Sequence, residues 1–262
     1  MTDPTEVKHF YDRFTDTRML QYKLYGNLRI DKAVELISNY LTPNSNILDL
    51  GCGIGIVAEK LASKLNQGKI LACDLGENNI NYARKTIQSK QIEFLNVDII
   101  ENFELIRSKL SETDLITTDL ITMVDAIEHL PPNSYEQLFS NLSQISCDRT
   151  KLILTYPSPE YQLYLQQNEP EELQIIDEII EIEHLLPLAV KYGFNLEYFT
   201  YLDIWKKNQY IHCVFSKQRP CQPMPEPGFL GKIQQKFKAY KSKIIMPLLK
   251  AKYIDRPNQT KP

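Results

Sequence analysis

The middle of the chain alternates short apolar runs with longer stretches of helical periodicity. The apolar runs predict five buried strands, at residues 46–50, 69–74, 92–97, within 115–124, and at 151–156. Apolar positions at helical spacing predict helices over residues 56–65, 78–89, 134–145 and 183–192. This alternation is typical of βα units built around a parallel sheet.

Two further runs close the pattern. Residues 195–202 and 210–216 are separated by a polar loop at 206–208 and predict an antiparallel hairpin. We therefore expect three parts: an N-terminal helical flank or lid at residues 1–45, the sheet domain at 46–216, and a proline-rich linker with a basic tail at 217–262.

Composition narrows the class of protein only slightly. Of 262 residues, 43% are hydrophobic and 24% charged, as in ordinary folded domains. The five cysteines are scattered, with no C-x-x-C pair or zinc-like spacing, which favours a reducing compartment. The start shows no secretion signal, and no run approaches the roughly 20 apolar residues of a membrane span. We therefore expect a cytoplasmic location, with peripheral membrane association through the tail left open.

The net charge of −3 hides a strongly basic tail, because residues 217–262 carry eleven Lys or Arg against two acids. Ile233, Phe237, Tyr240 and Ile244 recur there at helical spacing among lysines, which predicts an amphipathic helix over residues 228–252, ended or kinked at Pro247. Such a helix can lie on an anionic membrane, bind a polyanion or dock on its own domain. The sequence of the tail is compatible with each of these three roles.

The most specific motif is Asp49-Leu-Gly51-Cys-Gly53-Ile-Gly55, where a predicted strand meets a helix. Glycines there allow a tight turn and the close approach of a ligand to main-chain N–H groups. The third glycine comes one residue earlier than in the G-x-G-x-x-G of dinucleotide sites. The motif predicts a cofactor site of a different kind.

Two carboxylates follow the next two predicted strands. Asp74 ends the second strand, 19 residues beyond Gly55, the spacing of a ribose-binding acid. Asp98 follows the third strand, where it can accept from an adenine amino group while Ile99 covers the ring. Asp74 can equally begin a turn, and Asp98 can equally cap one. Their order on successive strand ends favours the binding interpretation.

With these motifs, residues 10–216 resemble the class I S-adenosylmethionine-dependent methyltransferases. ILDLGCGIG, LACDLGENNINYARK and FLNVDI are similar to their first motif, ribose-binding segment and adenine-binding segment. The resemblance implies a Rossmann-like, seven-stranded, mostly parallel α/β sheet with helices on both faces and an antiparallel last strand. It implies S-adenosylmethionine as the cofactor, held by Asp49, Gly51, Gly53, Gly55, Asp74, Leu75, Asp98 and Ile99.

DLITMVDAIEHLPP resembles the fourth-strand motif of the subgroup that contains the ubiquinone-biosynthesis O-methyltransferases. That resemblance implies that Val124 lines the methionine portion of the cofactor and that Arg29, in NLRID, holds its carboxylate. Arg29 can equally be a surface residue at a helix start. Residues 146–150 depart from the family, which has a pair of glycines before the fifth strand.

His129 is the candidate catalytic residue, because an imidazole after the fourth strand can accept the proton of a hydroxyl acceptor. A structural histidine is the alternative. Asp125, Glu128, His129 and the distant His184 resemble the metal site of some relatives, but the first acid is Asp where those carry Glu. We therefore predict no metal.

The leading hypothesis is methylation of a hydroxyl on a small molecule, a sugar or a lipid-linked intermediate. The alternatives are 2′-O-methylation of an RNA 3′ terminus and a non-catalytic cofactor-binding module that acts through its basic tail. Residues 157–182 carry seven acids, which argues against a nucleic acid partner. The sequence makes no prediction of oligomeric state.

Overall fold

The computed structural model of the protein describes residues 20–113, 118–217 and 229–253. The chain divides into two compact units, Met1–Arg219 and Pro220–Pro262. Residues 1–19 of the predicted flank, the beginning of the segment 115–124 and most of the proline-rich linker lie outside the described residues. The predicted division after residues 45 and 216 stays a prediction.

Seven strands form one sheet in the order β3-β2-β1-β4-β5-β7-β6. Their bounds are β1 Ile47–Leu50, β2 Ile70–Asp74, β3 Ile92–Asn96, β4 Thr118–Val124, β5 Ser146–Pro157, β6 Asn195–Leu202 and β7 Tyr210–Ser216. Strands β1 to β5 pair in parallel, whereas β7 runs antiparallel to both β5 and β6. The predicted sheet, with its antiparallel last strand and closing hairpin, is confirmed.

Nine α-helices are described. They are α1 Leu20–Tyr25, α2 Leu28–Ser38, α3 Ile56–Ala62, α4 Glu77–Thr86, α5 Phe103–Glu112, α6 Tyr135–Ile145, α7 Pro159–Asn168, α8 Ile182–Lys191 and α9 Phe229–Tyr253. Helices α5 and α7 were not predicted. In α7 the buried side chains are Pro159, Gln162 and Leu165, so the apolar periodicity is weak. Its start was readable nonetheless, because Ser158 accepts the Tyr161 N–H at 3.1 Å and Pro159 is the first helical residue.

The apolar runs of β1, β2 and β4 are buried along nearly their whole length because helices cover both faces of the sheet. Leu48, Leu71 and Ile121 pack on one face with α5, α6 and α8. Ile47 and Ile70 pack on the other with α2, α3 and α4. This confirms the predicted three-layer arrangement and brings the carboxyl ends of β1, β2 and β4 to one edge.

The segment where relatives have paired glycines is the first part of β5. The Thr150 hydroxyl donates to the Thr118 carbonyl at 2.6 Å and accepts the Cys147 N–H at 2.8 Å. The Asp119 carboxylate pairs with Arg149 and accepts the Asn46 N–H. Side-chain hydrogen bonds therefore hold this turn, at the end of the sheet opposite the carboxyl ends of β1 and β4.

In the second unit the described residues form the single helix α9, which runs through Pro247 to Tyr253. Of the two outcomes predicted at Pro247, the end of the helix is wrong. Proline lacks only its own N–H, so one hydrogen bond is lost while the turns on either side continue. Among the described helices, none is both long and apolar enough to cross a membrane.

Candidate cofactor and acceptor site

A cavity of about 1230 Å³ opens at the carboxyl ends of β1, β2 and β4. Sites for one small ligand are usually ~300–1,000 Å³, so this cavity has room for two reactants. Every predicted site residue except Gly55 lines it. Open α/β sheets bind ligands at this edge, where the strand order reverses beside β1.

The glycine motif forms the turn between β1 and α3. Gly51 has φ +73°, and a Cβ placed there would lie 2.5 Å from the Ala126 Cβ. Gly55 has φ +81° and faces Ile87 and Phe94, so it serves packing between the helix and the sheet. These close approaches explain both glycines.

The turn's N–H groups are used inside the protein. Gly51 N–H donates to the Cys73 carbonyl at 2.8 Å, and Gly53 N–H donates to Asp74 Oδ2 at 2.7 Å. These two N–H groups therefore donate within the protein, while Gly51 and Gly53 themselves line the cavity. Their glycines supply space for a ligand instead.

Asp74 holds the glycine turn against the next loop. Besides the bond from Gly53, its Oδ1 accepts from Gly76 N–H at 2.8 Å and from Asn79 Nδ2 at 2.9 Å. Asn79, on α4, is 5% exposed and was not singled out in the sequence. An amide residue five positions after a strand-ending acid, in the first turn of the next helix, was the available signal.

Asp49 lies in β1 directly before the glycine turn and is 1% exposed. Thr122 Oγ1 donates to its Oδ1 at 2.7 Å. Burial raises the pKa of Asp49 to about 7; the Thr122 hydrogen bond opposes this shift and the Asp74 carboxylate adds to it. Near neutral pH this carboxyl is therefore partly protonated.

Asp98 forms the turn after β3, since its Oδ1 accepts from the N–H groups of Ile100 at 2.8 Å and Glu101 at 3.0 Å. Ile99, next to it, is largely buried and lines the cavity, as does Leu75 after β2. Asp98 therefore caps this turn and also lines the cavity.

Arg29 lies in the first turn of α2, where Asn27 Oδ1 accepts the Arg29 N–H at 3.0 Å. Its Nε lies 2.8 Å from Asp125 Oδ2, and its Nη1 donates to the Tyr210 hydroxyl at 2.8 Å. The side chain is 19% exposed and faces the cavity. Neither partner was predicted, because they lie 96 and 181 residues away in the sequence.

Asp125 follows Val124, the last residue of β4, and has φ +51°. Its N–H donates to the Thr155 carbonyl at 2.9 Å, and Thr155 Oγ1 donates to its Oδ1 at 3.1 Å. Burial raises the pKa of Asp125, although Arg29 opposes the shift. A positive φ in a non-glycine residue costs ~1–3 kcal/mol and is common at functional sites.

His129 ends a single 3₁₀ turn, Ile127–His129, after β4. Its Nδ1 lies 2.8 Å from the Ile176 carbonyl oxygen and 3.5 Å from Asp177 Oδ1. Because a carbonyl oxygen only accepts, Nδ1 carries the hydrogen and Nε2 is the basic nitrogen of the neutral ring. Burial lowers the pKa of His129, which favours that neutral ring.

The segment between α7 and α8 supplies the Ile176 and Asp177 contacts and was not predicted to reach His129. His184, at the start of α8, is not among the residues that line the cavity. Within residues 20–113, 118–217 and 229–253, no group of three His, Cys, Asp or Glu is arranged to hold a metal ion.

Comparison with known proteins adds the family. Residues 47–146 match the family described as "Methyltransferase domain". The mitochondrial ubiquinone biosynthesis O-methyltransferase of Dictyostelium discoideum is 30% identical over 153 residues, 55% of this chain and 41% of that protein. A ribosomal protein L11 methyltransferase of Thermotoga neapolitana is 27% identical over 123 residues, 47% of this chain and 41% of that one. The chain thus spans about two fifths of the length of these relatives.

Solved structures agree in fold. The magnesium protoporphyrin IX methyltransferase of Synechocystis with bound SAH superposes with a TM-score of 0.59 at 14% identity, covering 80% of this chain and 99% of that one. A TehB-like SAM-dependent methyltransferase of Corynebacterium glutamicum gives a TM-score of 0.57 at 16% identity, covering 82% and 100%. At these identities the likeness concerns the fold alone.

The fold is that of the Rossmann-like methyltransferases, and the cavity lies at its strand ends. The matched family over residues 47–146, the ubiquinone O-methyltransferase relative and these structural neighbours together support a class I S-adenosylmethionine-dependent methyltransferase. The class, the type of enzyme and the cofactor predicted from the motifs are confirmed. The described residues fit that cofactor, because the cavity has space at the glycine turn and carboxylates at the ends of neighbouring strands.

Proposed function

We propose that this protein methylates a hydroxyl group of a small molecule, a sugar or a lipid-linked acceptor, with His129 as the general base. S-adenosylmethionine, when bound, supplies an electrophilic methyl group. The protein then has to align the acceptor and take up its proton. The observation that carries the proposal is the orientation of His129 by the Ile176 carbonyl, which leaves Nε2 as the basic nitrogen.

The cofactor half of the cavity is proposed from the glycine turn and the strand-end residues. The side chains of Asp74, Asp98 and Ile99 would hold the adenosine, and those of Arg29 and Val124 the methionine part. Asp49, Gly51, Gly53, Gly55 and Leu75 would shape the turn and the wall.

Calorimetric titration with S-adenosylmethionine tests this half of the site. We expect Asp74→Asn to weaken binding by about 1.5–3 kcal/mol, or roughly ten- to a hundredfold, because a charged acceptor of several hydrogen bonds is lost. Asp148→Asn, a neutralisation on an exposed residue, is the control and should bind like the wild type. Equal affinities of the two variants would remove Asp74 from the site.

The pH dependence of kcat tests His129, after an acceptor has been found by incubating extracts with labelled cofactor. The wild-type rate should rise with pH and level off below the ordinary His pKa of about 6.5, because burial lowers the pKa of this ring. His129→Gln should lose about 10²–10⁴-fold in kcat. His184→Gln, on an exposed histidine outside the cavity, is the control. An undiminished rate in His129→Gln would reject the base.

An RNA terminus is the less favourable acceptor because of the charge of the cavity. Nine acidic side chains line it against one arginine, Arg29, which is paired with Asp125. A polyphosphate backbone normally requires several Lys or Arg contacts.

We also propose that α9 lies on an anionic membrane surface. Its 25 residues include seven lysines and no acid. Ile233, Phe237, Tyr240, Ile244 and Leu248 recur at three- and four-residue spacing and are exposed by 47%, 64%, 65%, 51% and 66%. A basic helix with one apolar face suits the interface of such a membrane, and it would bring the enzyme to lipid-linked acceptors.

Co-sedimentation of the full chain with vesicles tests the membrane contact. We expect binding to vesicles that contain phosphatidylglycerol and much less to pure phosphatidylcholine. Phe237→Glu should abolish it, whereas Gln234→Glu, which makes the same change of charge outside the apolar row, should reduce it only mildly. Equal effects of the two variants, or no binding to either vesicle, would reject the membrane surface and favour docking on the protein itself.

A further inference from the structure

The cavity wall beyond the glycine turn is acidic. Glu128, from the turn after β4, faces the cavity together with Glu172, Asp177 and Glu178 from the segment between α7 and α8. Arg29 is the only Lys or Arg among the described residues that line the cavity, and its partner is Asp125. Among the described residues that line the cavity, no Lys or Arg is therefore left to balance Glu128, Asp177 and Glu178.

Glu128 is the central group of this wall. It is 2% exposed, and within the described part of the chain its Oε2 has no hydrogen-bond partner. Its Oε1 lies 3.9 Å from His129 Nε2. Burial raises the pKa of Glu128 well above its ordinary range, and the neighbouring Asp125 and Asp177 raise it further. A buried carboxyl without a partner is costly, which indicates that a ligand completes it.

Its position is set by the chain around it. The Glu128 carbonyl accepts the Glu178 N–H at 2.8 Å, and Asp177 is held by Gln162 Nε2 at 3.0 Å and the Gln174 N–H at 2.9 Å. The acidic wall is therefore built by specific hydrogen bonds.

Aromatic rings face the same cavity. Tyr161 and Tyr210 contact each other with ring centroids 5.7 Å apart, and Trp205 lines the cavity although its side chain is 61% exposed. Arg29 lies over the Tyr210 ring at 5.2 Å and Lys206 Nζ over the Tyr161 ring at 5.8 Å. Trp205 adds an aromatic face beside the carboxylates, and this combination binds amine and ammonium cations.

We propose that the methyl acceptor carries a positively charged amine or ammonium group and that Glu128 and Asp177 bind this group beside His129. The inference rests on the proposed function and adds the charge class of the substrate. A cation gives Glu128 Oε2 its missing partner and balances the wall. An acceptor with a carboxylate or phosphate would meet like charge instead and be rejected.

Three phenols of similar size and different charge test the proposal on the full chain saturated with S-adenosylhomocysteine. They are tyramine, a cation; 4-ethylphenol, neutral; and 3-(4-hydroxyphenyl)propionate, an anion. We expect tyramine to bind about tenfold more tightly than 4-ethylphenol in calorimetry, and the anion to bind more weakly than both. Glu128→Gln should abolish the preference for tyramine, whereas Glu160→Gln, on an exposed residue outside the cavity, should keep it.

A second measurement does not depend on the variant. Burial raises the pKa of Glu128, and a bound cation would lower it again, so tyramine binding should release protons, measured as a dependence of the heat on the ionisation enthalpy of the buffer. Equal affinity for tyramine and 4-ethylphenol, absence of tyramine binding, or displacement of tyramine by Mg²⁺ would overturn the proposal. Binding of S-adenosylhomocysteine is measured first. If the protein binds it but shows no preference among the three phenols, the charge class of the acceptor is refuted while the proposed methyltransferase function stands.

Discussion

The contact between Gly51 and Ala126 joins the glycine turn to the turn that carries Asp125 and His129, and Gly51→Ala tests it directly. The new Cβ would lie 2.5 Å from the Ala126 Cβ, whereas carbon atoms in contact are ~3.5–4.0 Å apart. The two turns would therefore have to separate by more than about 1 Å. The substitution also places a side chain on a residue with φ +73°.

The magnitude follows from these two effects. A left-handed conformation costs a non-glycine residue ~1–2 kcal/mol. Overpacking of a close contact adds ~1–3 kcal/mol. We therefore expect Gly51→Ala to lower the free energy of unfolding by ~2–5 kcal/mol, a large part of the ~5–15 kcal/mol of a typical domain. S-adenosylmethionine should also bind more weakly, because the displaced turn lines its cavity.

Urea unfolding followed by circular dichroism measures the loss, and a double variant separates its causes. Gly51→Ala with Ala126→Gly removes the opposing methyl group, so the steric part should be recovered as a coupling energy of ~1–3 kcal/mol, while the conformational part persists. Ala126→Gly alone supplies the fourth corner of the cycle. Additivity of the two single effects within ~0.3–0.5 kcal/mol would refute the direct contact.

Two further predictions concern stability. Asp125→Asn should cost about 3 kcal/mol in urea unfolding because it leaves the largely buried Arg29 without its counter-charge. Glu35→Gln, in the exposed pair with Lys32, should cost less than about 1 kcal/mol, and similar costs for the two variants would contradict the stabilising role of the Arg29–Asp125 pair. Burial lowers the pKa of His212 to about 4, and Lys32 adds to the shift, so protonation favours the unfolded chain. The contribution of His212 to the free energy of unfolding is complete above pH ~6.5 and should fall by roughly 3 kcal/mol towards pH 4. In His212→Gln the free energy of unfolding should depend less steeply on pH over this range. An unchanged pH dependence would exclude His212 as its source.

Most of the sheet could be predicted because its strands are buried on both faces. A short, continuous apolar run such as that of β1 is typical of a strand that is covered by helices on both faces. Helix α7 escaped prediction because it buries Gln162 beside Leu165, a pattern that depends on Asp177, the tertiary partner of Gln162. Of the two outcomes predicted at Pro247, the end of α9 was wrong because a proline removes a single hydrogen bond from a helix and does not always end it.

Some residues of the candidate site could be predicted from the sequence, and others only from the tertiary structure. Local sequence was sufficient for the glycine turn and for Asp74 and Asp98, since adjacent strand ends meet at one edge of a parallel sheet. The sequence by itself thus determined the class of enzyme and its cofactor. It also determined that the glycine turn, Asp74 and Asp98 lie at the carboxyl ends of β1, β2 and β3, in that order. Only the tertiary structure decided that Arg29 pairs with Asp125, that the Ile176 carbonyl orients His129 and that Glu128 is buried without a partner. The physical reason is that burial and long-range contacts, which depend on the whole fold, set the charge and orientation of these groups.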